Sequence, residues 1–202
     1  MQYFWLMECR RKRKRKENEK KMKPNQRKNK YKDNLDLYET PSIATKCIID
    51  ELLLPLDSKI WEPADGMGAI SNVLQDAGYT DIKRSDIRSG TDFFDCVDQP
   101  IYDVIMTNPP YTYAQEFIEK SLRQVREGGY VVMLLRLSFL ESMKRREFFK
   151  CTGLYHLYVS CRRISMYPYG KPQATAGFVS YAWYVWKIGY TGEPKLGWIN
   201  YG

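Results

Sequence analysis

From Leu35 onward the apolar positions of the chain alternate between two spacings. Ile43, Cys47, Ile48 and Leu52 recur at helical intervals behind Thr40-Pro41-Ser42, which has the chemistry of a helix start. The pattern predicts a helix over 43–53, a short strand over 59–61 and a second helix over 70–77, closed by Gly78. A strand follows over 82–87, with Asp86 near its tip, and another over 102–107. Residues 114–126 read as an amphipathic helix closed by Gly128-Gly129. Residues 130–135 are almost continuously apolar, the signature of a central strand covered on both faces. The aromatic-rich stretches 154–160 and 180–186 read as two further strands, joined by a Pro/Gly-containing loop and predicted to pair antiparallel. No internal repeat is visible. Strands that alternate with helices imply right-handed βαβ units, hence an α/β protein with a mostly parallel, doubly wound sheet.

In such a sheet, ligands bind at the carboxyl ends of the strands. The predicted strand at 59–61 runs into Glu62-Pro63-Ala64-Asp65-Gly66-Met67-Gly68. Gly66 and Gly68 allow a sharp turn or a close approach of backbone to ligand. Asp86 stands about where a carboxylate would accept hydrogen bonds from ribose hydroxyls. The third glycine of a dinucleotide fingerprint is absent. Glu62 and Asp65 would repel a pyrophosphate but suit a positive ammonium or sulfonium group. That combination points to S-adenosylmethionine rather than a nicotinamide cofactor. The competing reading is a simple turn.

The strand over 102–107 runs into Asn108-Pro109-Pro110-Tyr111. Two prolines fix φ and remove two N–H donors, so the corner is stiff. The Asn108 side-chain oxygen and the Pro109 carbonyl are candidate acceptors for the two protons of an exocyclic amine. Such an amine is a poor nucleophile, because its lone pair is delocalised. Two acceptors that favour a more tetrahedral nitrogen turn the lone pair toward an incoming methyl, and positioning then carries the step. Tyr111 offers a ring on which a planar base can stack once it has left a duplex. The competing reading is a Pro-rich turn that opens a helix.

Charge changes the picture at one end only. The chain has 202 residues and a net charge of +8, but residues 1–34 alone carry +10 and the remainder −2. The densest run is Arg10-Arg11-Lys12-Arg13-Lys14-Arg15-Lys16. Like charges so close repel, and little apolar material accompanies them, so the tail is expected to be disordered. It reads as an arm that binds phosphates without reading sequence. A nuclear-import signal and a solvated leader, which a start at Met22 would remove, are the other readings. The longest apolar run falls well short of the roughly 18 residues a membrane span needs. The start is apolar before it is basic, the reverse of a secretory signal. Five cysteines without a C-x-x-C pair argue against a disulfide framework or a zinc ribbon and for a reducing compartment. The cytoplasm is expected, with the nucleus open if the host is eukaryotic.

With these motifs in order, the chain resembles class I S-adenosylmethionine-dependent methyltransferases of the amino-methylating type, and most closely the small bacteriophage DNA adenine-N6 methyltransferases. Tyr38-Glu39-Thr40-Pro41 resembles the segment that leads into the cofactor site, and 62–68 resembles the glycine-rich cofactor motif. Asp92-Phe93-Phe94 resembles the segment that sets an acid and an aromatic against the cofactor adenine. Residues 108–111 match the catalytic motif of this type. Residues 163–166 and 181–186 also look like the phage members. The resemblance implies a Rossmann-like fold with helices on both faces and a mostly parallel seven-stranded sheet whose last strand is antiparallel. It implies Tyr38, Thr40, Pro41, Glu62, Pro63, Asp65, Gly66, Gly68, Asp86, Asp92, Phe93 and Asn108 at the cofactor. Asn108, Pro109, Pro110 and Tyr111 become the catalytic set. It also implies a DNA substrate and a setting such as restriction-modification. The domain would occupy 35–202, without the separate target-recognition domain of typical sequence-specific members. Base readout would then fall to 136–150 and 163–177, where Arg136, Lys144, Arg145, Arg146, Arg162, Arg163 and Lys171 are candidates for phosphates.

The remaining residues point nowhere else. His156, the only histidine, sits in an alternating aromatic stretch and reads as a strand residue. Trp183 and Trp186 read as core. Asp92 and Asp95 form a pair, but the expected chemistry needs no metal. Methylation of a protein glutamine amide or of RNA adenine would use the same corner. A non-catalytic nucleic-acid-binding protein on the same fold is the reading outside enzymes.

Overall fold

The computed structural model describes residues 38–168 and 179–200. Their elements in chain order are β1 (Tyr38–Glu39), α1 (Ser42–Leu52), β2 (Ile60–Glu62), α2 (Ser71–Asp76) and β3 (Ile82–Arg84). There follow β4 (Tyr102–Thr107), α3 (Ala114–Ser121), β5 (Val125–Arg136), α4 (Met143–Thr152), β6 (Leu154–Ser160), β7 (Tyr167–Pro168), β8 (Tyr181–Lys187) and β9 (Lys195–Ile199). Among the described residues seven strands form one sheet in the order β3-β2-β4-β5-β8-β6-β9. β3, β2, β4 and β5 are mutually parallel, and β8 runs antiparallel between β5 and β6. β1 and β7 pair antiparallel outside that sheet.

The continuous apolar runs of β5 and β8 are explained by two covered faces. Val132, Leu134, Trp183 and Val185 join Ile60, Val104 and Met106 in a cluster with Ala44, Ile48 and Ile49 of α1 and Val73 and Leu74 of α2. Their neighbours Val131, Met133, Leu135, Ala182, Tyr184 and Trp186 join Trp61 and Ile105 in a second cluster with Phe117 and Ile118 of α3 and Phe148 of α4. Each large side chain so buried is worth about 1.5–3 kcal/mol. The Trp183 indole also donates to the Ala44 carbonyl at 3.0 Å, and the Trp186 indole to Thr152 Oγ1 at 3.1 Å. Both tryptophans are core, as expected.

Three departures from the hydrophobic pattern have physical causes. The helix over 114–126 stops at Ser121, because Val125 already pairs with Tyr102 in the sheet. The chain then bulges out through 126–129 before Tyr130 pairs with Val104. Gly129 is required there, since a Cβ would lie 2.5 Å from the Asp103 carbonyl oxygen. Helix α4 has no apolar stripe to announce it, for only Phe148 and Thr152 are buried. Strand β9, parallel to β6, follows the antiparallel β8 in the chain. Its Leu196 and Trp198 are exposed, so the alternation had no buried face to betray it.

Candidate active site

Because β2, β3, β4 and β5 are parallel, their carboxyl ends share one edge of the sheet. The segment 62–68 leaves β2 there. Gly66 has φ 59° and Gly68 has φ 85°, conformations that disfavour other residues. The Gly66 N–H donates to Asp86 Oδ2 at 2.9 Å, and the Gly68 N–H to the Asp65 carbonyl at 2.8 Å. Asp86 also caps the turn after β3, accepting from the Arg88 N–H and Nε, each at 2.9 Å. The carboxylate that sequence assigned to a ribose therefore also ties the two loops together. Asp65 is engaged as well: it accepts from Ser71 Oγ and, at 2.9 Å, from Arg84 Nε. Arg84 reaches on to Asn72 Oδ1 at 3.0 Å, so its guanidinium covers Gly68. Asp65 is thus already paired with a cation of the protein itself.

Strand β4 emerges beside β2, with Ile60 opposite Val104 and Trp61 opposite Ile105. Its last residue, Thr107, leads into Asn108. The Asn108 Nδ2 donates to the Tyr38 carbonyl at 3.2 Å and to Thr40 Oγ1 at 3.1 Å. A carbonyl only accepts, so this pair of partners fixes which end of the amide is nitrogen. Asn108 Oδ1 is then left buried and, among the described residues, without a hydrogen-bond partner. Pro109 is buried and Pro110 half-buried. The Pro110 carbonyl accepts from the Tyr113 N–H at 2.9 Å, starting the turn that feeds α3. The corner is therefore both a stiff arm and a helix entry.

Two further carboxylates are buried: Glu62, whose side chain lies beside the Thr107 hydroxyl, and Asp92, whose Oδ2 has no hydrogen-bond partner among the described residues. Glu62 is 1% exposed, and its Oε1 accepts from the Ala64 N–H at 2.8 Å. Burial pushes its carboxyl well above the usual carboxylate range. Thr107 and the Ala64 N–H pull the other way, and Asp65 and Asp86 add to the rise. Asp92 Oδ1 accepts from the Phe94 N–H at 2.9 Å. Buried polar atoms left unpaired are costly.

Of the residues singled out from sequence, Tyr38, Thr40 and Asn108 form one hydrogen-bonded group, and Gly66 and Asp86 another. Pro41 lies at the entry to α1, where its carbonyl accepts from the Ala44 N–H at 2.9 Å, and Pro63 is buried. Phe93 differs from expectation. It is 2% exposed, with its ring 5.0 Å from both Trp61 and Phe117, so it anchors the Asp92 turn from within the core. Sequence reasoning missed Tyr181 and Arg84. Tyr181 is read only by pairing: it is opposite Arg136 in the β5–β8 register, and its ring lies 5.9 Å from that of Tyr111. The Arg136 guanidinium lies 5.0 Å from the Tyr111 ring centroid. Arg145 is taken by structure, its guanidinium 4.2 Å from the Phe139 ring and bonded to the Phe139 carbonyl at 3.0 Å. Lys144, Arg146, Arg162 and Arg163 are exposed. Lys171, much of 163–177 and the basic tail lie outside the described residues.

His156 is a β6 residue stacked on Tyr158 at 4.0 Å, as its pattern predicted. Among the described residues no group of three or more His, Cys, Asp or Glu could hold a metal, and no helix is long and apolar enough to cross a membrane. Cys47, Cys96 and Cys161 are free thiols.

No family model and no curated protein matches the chain. Solved structures do. A chain assigned as the modification subunit of a type I restriction enzyme from Vibrio vulnificus YJ016 aligns over 80% of this chain at 11% identity, TM-score 0.56. The type IIG restriction endonuclease BpuSI aligns over 81% at 15% identity, TM-score 0.56. A protein assigned as a class I S-adenosylmethionine-dependent methyltransferase from Listeria monocytogenes aligns over 80% at 14% identity, TM-score 0.53. The aligned regions cover 46%, 27% and 65% of those chains respectively, less than two thirds of each. The sheet, the two helical layers and these likenesses agree: the chain has the Rossmann-like fold of class I methyltransferases.

Proposed function

We propose that the chain transfers a methyl group from S-adenosylmethionine to the exocyclic N6 amine of adenine in DNA. The observation that carries this reading is the Asn108 amide. Its donor end is held by Tyr38 and Thr40, and its acceptor end is buried and unpaired at the carboxyl edge of β4. A buried lone acceptor on a stiff corner is suited to a planar –NH₂ donor.

The residues of the neighbouring loops fit the cofactor. Asp92 Oδ2 is a buried acceptor without a partner among the described residues, and Glu62 is a buried carboxyl whose ionised form a ligand cation would favour. The Gly66–Gly68 turn lets backbone approach a ligand closely. Glu62 would face the ammonium end, Asp92 the adenine amine, and Asp86 the ribose. When bound, the sulfonium group supplies an electrophilic methyl carbon. Asn108 Oδ1 accepts one N–H of the target amine and holds the nitrogen with its lone pair turned out of the base plane. Tyr111 supports the base from the side. The Pro109-Pro110 pair keeps Asn108 from following the amine as it becomes tetrahedral, so the geometry costs little reorganisation at the moment of reaction.

DNA is favoured over a protein glutamine by charge. Lys144, Arg146, Arg162 and Arg163 are exposed, and the +10 tail adds a salt-sensitive arm. The test is transfer of labelled methyl from S-adenosylmethionine to unmethylated DNA, to RNA and to a glutamine-containing peptide. Transfer to DNA, lost by at least a hundredfold in Asn108→Ala, is expected. Full activity of Asn108→Ala would end the proposal, and transfer only to peptide or RNA would replace the substrate. Removing residues 1–34 should weaken DNA binding and flatten its dependence on salt.

A further inference from the structure

Arg136 has no role in the reaction described above, yet it is seated on the catalytic corner. Its guanidinium lies 5.0 Å from the Tyr111 ring centroid, and the Tyr181 ring flanks Tyr111 at 5.9 Å and 34°. Arg136 is the final residue of β5, exposed, and opposite Tyr181 in the sheet. Its backbone is clamped. The Tyr184 hydroxyl donates to the Arg136 and Leu137 carbonyls at 3.1 and 3.2 Å, and the Leu137 N–H donates to the Ser180 carbonyl at 2.8 Å. A rigid root therefore carries a long, exposed, cationic side chain. None of the ion pairs among the described residues includes it, and its other side-chain neighbour is the Tyr181 hydroxyl, which an arriving base would also have to free it from.

A guanidinium on a tyrosine ring is a planar cation on a π face, an arrangement worth about 0.5–1 kcal/mol at an exposed site. A purine stacked on the same face would have the same shape and a larger contact. The two cannot share the face, so an arriving base displaces the guanidinium. Because the root stays fixed, the freed group remains beside the sugar and phosphate to which that base is attached. A forked donor is well matched to phosphate oxygens. We propose that Arg136 guards the Tyr111 face in the free protein and, when the target adenine enters, swings off the ring to bind the phosphate of the same nucleotide. Arg136 would thereby couple entry of the base to capture of its backbone, and would favour nucleotides over free nucleosides.

This inference rests on the adenine reading of the Asn108 site, and the test separates the two. Deoxyadenosine and deoxyadenosine 5′-monophosphate are titrated by NMR into the full-length wild-type chain, Arg136→Ala, Arg136→Lys and, as a control, Asn108→Ala. In wild type the nucleotide should bind about tenfold more tightly than the nucleoside. Arg136→Ala should weaken the nucleotide and strengthen the nucleoside, bringing the ratio near one. A merely structural lesion would weaken both ligands together. Arg136→Lys should keep part of the preference, since it keeps the charge but not the flat fork. An unchanged ratio in Arg136→Ala, with nucleoside binding still dependent on Asn108, overturns the role of Arg136 alone. Failure of both ligands to bind wild type, or binding indifferent to Asn108, overturns the site reading and this inference with it.

Discussion

The Asn108 side chain is oriented by a residue 68 positions earlier in the chain: its Nδ2 donates to the Thr40 hydroxyl at 3.1 Å. Thr40 is 5% exposed and lies just before α1, where sequence reading gives it a helix-start or cofactor role. Its hydroxyl helps keep the amide from flipping, because a flipped Asn108 would set oxygen against the Tyr38 carbonyl. Thr40→Val keeps the shape and removes the acceptor. One hydrogen bond of this kind is worth about 1 kcal/mol, so kcat should fall about fivefold. Affinity for S-adenosylmethionine should change less. Steady-state kinetics with a separate calorimetric titration of the cofactor checks this. An equal loss in both would show Thr40 to be a cofactor residue rather than a positioning one.

Gly68 meets two demands at once. Its φ is 85°, and a Cβ there would fall on the Arg84 guanidinium and 2.8 Å from the Asn72 amide. Gly68→Ala carries a backbone cost of about 1–2 kcal/mol and also lifts Arg84 from Asp65. The expected result is a lower melting temperature together with weaker cofactor binding. The variant Arg84→Ala, which frees Asp65 without straining the turn, separates the two effects. If Gly68→Ala melts like wild type, the packing of Arg84 over the turn is wrong.

Much of this site was legible in sequence because it is local. A strand that ends in Glu62-Pro63 and a strand that ends in Asn108-Pro109 both announce themselves by apolar runs followed by rigid turns. What sequence did not show is what depends on pairing across the sheet. Tyr181 reaches Tyr111 only because β8 enters between β5 and β6 and sets Tyr181 opposite Arg136. The capture of Asp65 by Arg84 depends on Glu62 and Arg84 sharing a register in β2 and β3. Phe93 reads as a ligand-facing aromatic by its neighbours in sequence. Its burial against Trp61 and Phe117 depends on where α3 packs. Conversely, α4 and β9 were missed because neither presents a regular buried face.

On the far side of α3, Lys120 is 5% exposed and its ammonium binds Asp98 at 2.6 Å and the Cys96 carbonyl. Burial opposes ionisation of Asp98, but Lys120 and Arg123 outweigh it and hold the carboxyl below its ordinary value of 3.8. An acid with a lowered folded pKa contributes stability above its unfolded value, and that contribution fades as pH falls through the folded value. Because Asp98 is partly exposed, the contribution is modest, about 1 kcal/mol. Asp98→Asn should therefore lower the melting temperature at pH 7, and the deficit should shrink as pH falls through the lowered folded value of Asp98, where both proteins come to carry a neutral group. Thermal melts across that range check the sign. A deficit that persists at the acid end would point to packing rather than charge.

Glu62 carries the opposite sign. Burial raises its carboxyl well above 4.5, so at pH values between the unfolded and folded pKa the folded protein holds a proton that the unfolded chain has released. Between the two values stability falls as pH rises, and at neutral pH the group works against folding. Glu62→Gln keeps the size and can still accept from the Ala64 N–H. It should raise the melting temperature at pH 7 and flatten the pH dependence above the ordinary carboxylate range. The same change removes the charge that would meet a ligand ammonium, so cofactor affinity should fall about tenfold or more. In the wild type, cofactor binding should release a proton as Glu62 ionises against the ammonium. Calorimetry in two buffers of different ionisation heat measures that release directly. Glu62→Gln that gains stability and loses both affinity and proton release shows a residue kept at a thermodynamic cost for its ligand. A variant that gains stability and binds the cofactor unchanged removes Glu62 from the site.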